Sequence, residues 1–505
     1  MKKIFIILLF SLIFANIFAE QYQIQEVEYD IIGRTKEHAL NQKLNINKKQ
    51  IFNTLEELET YIGYINQSLV NQRVLQETSI KYELGTLQEN NIIPVKIIIT
   101  AKDTWNIFPV PYPKYNSNNG FEFKLKIKDY NFFGSMEVMN FDLVFFQENE
   151  GENNNIGLGI DFSIPFGLGM FNAMWNVDTN IAYTFGNNKP DFDFSTGLDF
   201  SLPLNFVTFQ LSIKQSITQN TDYTDINDDF YLSEYISLAA PFTLLSTTSY
   251  LGDIKLTPNI EFNYNWDIDK IVHEDLIGPT LNLGYNFSFG KVDWVGNFRK
   301  GFFTDISQDF TYNFSKEKWN NLLSTELRGY FSRNFISFNG RFYGFTTYNP
   351  IKKDFSSKIE IGSRMRGIFD SSDLDNNQGQ LETSAALCLN IDIPIKIVQT
   401  DWRKWGKNIF NRNMPNWFAY LDFEMQISPF IDVALTNNTI TKRLFNPKDG
   451  FYGAGLEVLV FPSKMRSIQV RGCIGLDLSS KLPVFDAPWR TSKGPEIEIG
   501  IGLHY

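Results

Sequence analysis

Two stretches of this chain alternate apolar and polar residues, with Thr196 the one interruption, and that pattern narrows the folds open to it more than any other feature. From Asp191 to Leu202, Phe192, Phe194, Leu198, Phe200 and Leu202 alternate with Asp193, Ser195, Gly197, Asp199 and Ser201. From Leu281 to Phe289, Leu283, Tyr285, Phe287 and Phe289 alternate with Asn282, Gly284, Asn286 and Ser288. Successive strand side chains point to opposite faces, so each stretch is a strand with one apolar and one polar face. One such strand would suit a half-buried sheet in water. The same texture, large aromatics against Gly, Asn, Ser and Asp, continues from Thr104 to the last residue. Over about 400 residues it fits lipid outside and a polar lumen inside, the pattern of a transmembrane antiparallel β-barrel. The chain also stops as such barrels stop. Ile497, Ile499, Ile501, Leu503 and Tyr505 share one strand face, with Glu498, Gly500, Gly502 and His504 on the other.

Composition agrees with strands that are apolar on one face only. Aromatics make up 15% of the 505 residues, yet beyond the N-terminus no run approaches the ~18 apolar residues of a spanning helix. Residues 1–19 read as a signal peptide: Met1-Lys2-Lys3, an apolar core from Ile4 to Phe18, and the small Ala19. A net charge of -11 argues against a nucleic-acid partner. His38, His273 and His504 are too scattered for a histidine-rich metal site, and no nucleophile–base pair or phosphate loop stands out. The chain is expected to act without cofactor, metal or catalysis. Cys388 and Cys473 are too few for a disulfide framework, and their spacing leaves open whether they pair.

Residues 20–103 carry a different texture. Ile24–Ile32 reads as a strand closed by Gly33-Arg34-Thr35, followed by a short helix from Lys36 to Leu44. A longer helix begins at Thr54, with Leu55, Leu58, Ile62, Ile65 and Leu69 on one stripe. Thr54 and Glu57 have the spacing of a capping box. Two strands follow, Leu75–Leu84 and Pro94–Thr100, giving a small α+β domain ahead of a barrel over residues 104–505. At roughly 25 residues per strand and loop, the barrel should have about 16 strands. The longer loops fall at polar stretches such as Glu148–Asn155 and Thr218–Asp229.

Phe108–Lys114 places Pro109, Pro111 and Pro113 at every second position. Neighbouring strand amides point to opposite edges, so the three missing N–H groups would line one edge, as at a sheet edge or seam. A rigid linker between domain and barrel is the other reading of this segment. Asp401-Trp-Arg-Lys-Trp-Gly-Lys407, continuing to Trp417, mixes aromatics with cations and reads as an interfacial segment lying at the headgroups.

The strand, helix, helix, strand, strand order of residues 20–103 resembles a polypeptide-transport-associated (POTRA) domain. The remainder resembles the BamA/TamA superfamily of outer-membrane assembly barrels. Asp129-Tyr-Asn-Phe-Phe-Gly134 is similar to that family's turn early in the barrel. Its Arg-Gly-aromatic motif, at the tip of a loop folded back into the lumen, has three candidates here. Arg328-Gly329-Tyr330 sits within an alternating strand, and Arg471-Gly472-Cys473 has one strand after it. Arg366-Gly367-Ile368-Phe369 is followed by a polar loop, a long strand and room for four more, so it is the expected tip, with Ile368 departing from the aromatic.

A lumen arginine needs an acidic or carbonyl partner. The resemblance offers Asp432, within Phe430-Ile-Asp432-Val-Ala434, as the preferred one. Asn390 stands where the family tends to have a glutamate, leaving Asp392 or Glu382 as substitutes. The resemblance further implies a lateral seam formed by Pro109, Pro111 and Pro113 against Gly500 and Gly502. Glu498, Gly500, Leu503 and Tyr505 match the C-terminal signal by which such barrels are inserted.

Its implied function is insertion of unfolded outer-membrane protein clients into the bacterial outer membrane, with outer-membrane lipid as surroundings and the N-terminal domain in the periplasm. Assembly partners in the periplasm or inner membrane stay open. So do two alternatives: a two-partner-type secretion pore and a passive porin-like barrel.

Overall fold

The computed structural model describes residues 20–501 apart from 89–90, 117–119, 148–153, 187–188, 205, 220–229, 248, 267–277, 369–381, 439–440 and 480–494. The expected signal peptide over residues 1–19, Phe369, Leu381 and the C-terminal residues Gly502, Leu503 and Tyr505 therefore lie outside the described residues. The chain divides into two compact units, Met1–Asn106 with Phe133–Met136, and Ile107–Phe132 with Glu137–Tyr505.

The first unit folds as β1 (Gln21–Ile32), α1 (Glu37–Leu44), β2 (Ile51–Phe52), α2 (Leu55–Asn71), β3 (Leu75–Leu84) and β4 (Ile92–Asp103). Its sheet order is β2-β1-β4-β3, with β1 parallel to β4. Helix α2 buries Leu58, Ile62, Ile65 and Leu69 against sheet residues that include Ile24, Leu75, Ile97 and Ile99. Thr54 caps it by accepting from the Glu57 N–H at 3.1 Å, while the Glu57 carboxylate reaches back to the Asn53 N–H at 2.8 Å. The Gly33-Arg34-Thr35 turn is fastened by Asp103, which accepts from the Arg34 N–H (2.6 Å), the Thr35 N–H (3.1 Å) and the Thr35 hydroxyl (2.6 Å). The two-residue β2 is an addition to the sequence reading; at that length, no periodicity marks it.

The second unit is a closed barrel of antiparallel strands. It opens with β5 (Ile107–Asn116) and β6 (Gly120–Asp129) and continues from β7 (Met139–Gln147) to β18 (Ile336–Thr346). It ends with β19 (Ala385–Asp392), β20 (Ile395–Gln399), β21 (Phe423–Asn438), β22 (Phe451–Pro462), β23 (Val470–Asp477) and β24 (Glu496–Ile501). Two strands are interrupted, Tyr231–Ala239 with Phe242–Ser246 and β19 with β20, where Pro241 and Pro394 withhold an amide. Taking each as one stave, and counting the two-residue Arg443–Leu444 as a ladder on the end of β21 rather than a stave, gives eighteen staves among the described residues, two more than the spacing argument expects. The excess comes from tight hairpins. Leu168↔Phe171, Val295↔Phe298 and Arg333↔Ile336 are each joined by two residues, with Gly169, Gly296 and Asn334 in the left-handed region.

Asp191–Leu202 and Leu281–Phe289 fall within long barrel strands, Asp191–Pro203 and Thr280–Val295, with Phe194, Leu198, Leu283 and Tyr285 exposed outward. Their polar partners face inward and are stitched across strands, for example Asn176 to Asp199 at 2.7 Å and Asn286 to Asp305 at 2.7 Å. The proline-rich segment is strand β5 rather than a linker, and β5 stands beside β24 where the barrel closes. Cys388 and Cys473 are buried on separate strands with no disulfide between them.

Candidate functional site

Between β18 and β19 the chain forms two short ladders, Tyr348–Asn349 with Asp354–Phe355 and Ile359–Glu360 with Glu382–Thr383. After Glu360 the described part of the segment, residues 361–368, turns into the barrel interior. A 3-10 turn at Gly362–Arg364 brings it to Arg366, the largest fully buried side chain among the described residues, 1% exposed. The guanidinium makes a two-pronged contact with Asp432, Nε to Oδ2 at 2.9 Å and one terminal nitrogen to Oδ1 at 2.8 Å. Its other terminal nitrogen donates to Asp392 at 2.7 Å and stands 3.6 Å from Glu457. The Arg366 backbone N–H adds a further bond to Asp432 at 2.9 Å, and the Phe430 ring lies 3.9 Å beneath the cation.

Strand parity explains why these groups converge. Phe430, Asp432 and Ala434 share the inward face of β21, while Ile431 is exposed on the outer one. The register puts Asn390 opposite Asp432 and Asp392 opposite Phe430. The next strands continue both rows, Asp432↔Gly453 and Phe430↔Gly455↔Gly475↔Glu496. Glycines are needed along this seat. A Cβ at Gly453 would overlap the Arg366 carbonyl, and one at Gly475 would press on the Gly367 backbone. Gly367 itself has φ +80° and donates its N–H to the Glu496 carboxylate at 2.7 Å. The loop tip thus touches staves from β19 to the last strand, β24.

Apolar packing completes the joint. Ile361, Met365 and Ile368 form one buried cluster with Phe345, Ala386, Cys388 and Ala434. Ile368 fills this cluster where an aromatic is the family's usual residue. Arg364 lies 3.5 Å over the Tyr343 ring, and its carbonyl accepts from the Asn390 amide at 2.8 Å, so Asn390 holds loop backbone rather than a cation.

Of the expected acids, Asp432 and Asp392 meet Arg366. Glu382 does not: it is exposed in the short ladder opposite Glu360, because the inward-facing strand begins only at Ala385. The competing Arg328 and Arg471 lie within strands, where they pair with Glu326 and Glu457. Glu457, Glu496 and the glycine seat were not foreseen. Glu457 is the single acid in the run Phe451–Pro462, and its parity with Gly453 and Gly455 could have flagged it. Pro109, Pro111 and Pro113 lie along β5, and Gly500 on β24 pairs with Arg471 on β23.

No protein-family model matches the sequence, and no curated protein matches it. Among solved structures the chain is similar to CdiB from Acinetobacter baumannii, at 12% identity and TM-score 0.48, over 95% of this chain and 74% of that one. It is also similar to CdiB from Escherichia coli, at 8% identity and TM-score 0.47, over 95% and 76%. BamA from Haemophilus ducreyi lacking POTRA domains 1–3 is similar at 12% identity and TM-score 0.36, over 94% and 83%.

Proposed function

We propose that the protein is an outer-membrane assembly barrel of the BamA/TamA type. Among the described residues, most of its staves turn apolar side chains outward, and an exposed apolar area of that extent calls for a bilayer rather than water. The observation that carries the functional part of the reading is the loop joint. A passive pore needs only a wall, whereas here a buried arginine anchors a loop to that wall and Gly367 ties the same tip to Glu496 on the closing strand.

In this reading the N-terminal sheet lies in the periplasm and holds extended client segments by edge pairing, a backbone-driven contact that tolerates many sequences. Strand β5, poor in N–H donors at Pro109, Pro111 and Pro113, and strand β24 form the seam that opens sideways. An open strand edge in lipid lacks hydrogen-bond partners, and a client strand supplies them. The C-terminal segment that carries Glu498, Gly500, Leu503 and Tyr505 also serves as the address by which this barrel is itself inserted. No catalytic step is involved.

Depletion tests the reading. Levels of several unrelated outer-membrane barrels should fall together when the protein is removed. Normal levels of those barrels with loss of one secreted protein would favour a two-partner-type secretion pore, and no change in either would favour a porin-like barrel.

A further inference from the structure

Between β20 and β21 the chain forms a rim segment that the loop joint and the seam do not use. Helix α3 (Trp402–Phe410) is capped by Asp401, which accepts from the Lys404 N–H at 3.0 Å, and a 3-10 helix at Asn416–Leu421 folds back against it. Trp402 fixes the pair: its backbone N–H donates to Asp422 (2.7 Å) and its indole N–H to the Leu421 carbonyl (2.9 Å). Gly406 permits the close approach of Met414. The two acids of the segment are thus spent on backbone amides. Its cations, Arg403, Lys404, Lys407 and Arg412, are all exposed.

On the helix, Trp402, Trp405 and Ile409 share one side, while Arg403, Lys404 and Lys407 occupy the other. Ile409 is 71% exposed and Trp417 57%, with Tyr420 and Leu421 also open. The apolar patch does not stand alone. It continues the outward face of β20 at Ile397, the nearby turn before β18 exposes Phe335, and turns farther round the same barrel end expose Met170 and Phe206. Tight turns in water favour polar tips; apolar tips along one rim mark the level where hydrocarbon gives way to headgroups.

We infer that this segment is a lipid-binding surface, with Ile409, Trp417, Tyr420 and Leu421 seated at the acyl boundary and Arg403, Lys404, Lys407 and Arg412 holding the phosphates of anionic phospholipids in the leaflet at the end where β5 begins. The inference rests on the barrel spanning a membrane and not on its role in assembly. Charge complementarity selects the lipid: four free-headed cations and no uncommitted carboxylate within the segment suit an anionic leaflet.

The test uses the full chain reconstituted into vesicles, with a nitroxide on Ile409→Cys and a second on Lys353→Cys, an exposed turn at the opposite barrel end. Retained heat-modifiable mobility on gels first establishes insertion, so failure to insert strikes the membrane-barrel reading and not this one. In vesicles containing phosphatidylglycerol, collisions with a water-soluble relaxing agent should be several-fold rarer at 409 than at 353. In phosphatidylcholine alone the protection should shrink, and R403Q/K404Q/K407Q/R412Q should abolish the difference between lipids, each cation accounting for about fivefold in anionic-lipid affinity. Equal collision rates at 409 and 353 in both lipids would overturn the inference. Protection independent of lipid charge and of the four substitutions would overturn the assignment to anionic phospholipid.

Discussion

At the residue scale the account turns on Arg366. Three carboxylates, Asp392, Asp432 and Glu457, surround a cation with almost no solvent contact. Removing one partner of a buried ion pair leaves uncompensated charge and costs about 3–5 kcal/mol. Arg366→Ala is therefore expected to release the loop, raising hydrogen exchange over Ile361–Ile368 by several orders of magnitude while the barrel keeps its heat-modifiable mobility. Arg366→Lys keeps the charge but loses the two-pronged fit to Asp432 and should fall between. Gly453→Val should release the loop without touching any charge, because its side chain would occupy the position of the Arg366 carbonyl. The arginine and two of its acids were legible from motif and strand parity. Glu457, Glu496 and the glycine seat were not, since a cross-strand row exists only once the register is fixed, and one residue of slip would turn every one of these side chains outward.

At the element scale, β5 and the contact between β1 and α1 make separate predictions. Restoring three amides with Pro109→Thr, Pro111→Thr and Pro113→Thr gives β5 the donors of an ordinary stave. At about 0.5–1.5 kcal/mol per hydrogen bond, the triple variant should melt at a higher temperature by calorimetry and open its seam less often. In the N-terminal unit, the Tyr29 hydroxyl donates to Asn41 at 2.9 Å, and burial, with a smaller push from Glu37, raises its pKa to about 12. A raised folded value means that the unfolded chain gives up the proton first. Stability from Tyr29 is thus fully present below pH ~10 and lost toward pH 12. Tyr29→Phe should flatten that part of the unfolding profile followed by circular dichroism. Strands with strict alternation, and the α2 stripe, were readable because burial on one face imposes a period. The breaks at Pro241 and Pro394 and the two-residue β2 were not, since each depends on what the neighbouring strand supplies.

At the scale of the whole molecule, the eighteen staves close with β5 beside β24, and the loop tip reaches that last strand through Glu496. Alternation and aromatic content made a barrel behind a small α+β domain legible, while the stave number depended on turn lengths that composition averages away. The central claim is that clients enter through the β5–β24 seam. Cysteine pairs placed one on each of these strands, the positions near Tyr112 and near Gly500 scanned for the pair that oxidises, can lock the seam. Insertion of a client barrel into vesicles carrying the locked and the reduced protein is the most direct measurement. The account predicts that oxidation stops insertion and that a reductant restores it; insertion at the full rate through a demonstrably locked barrel would contradict it.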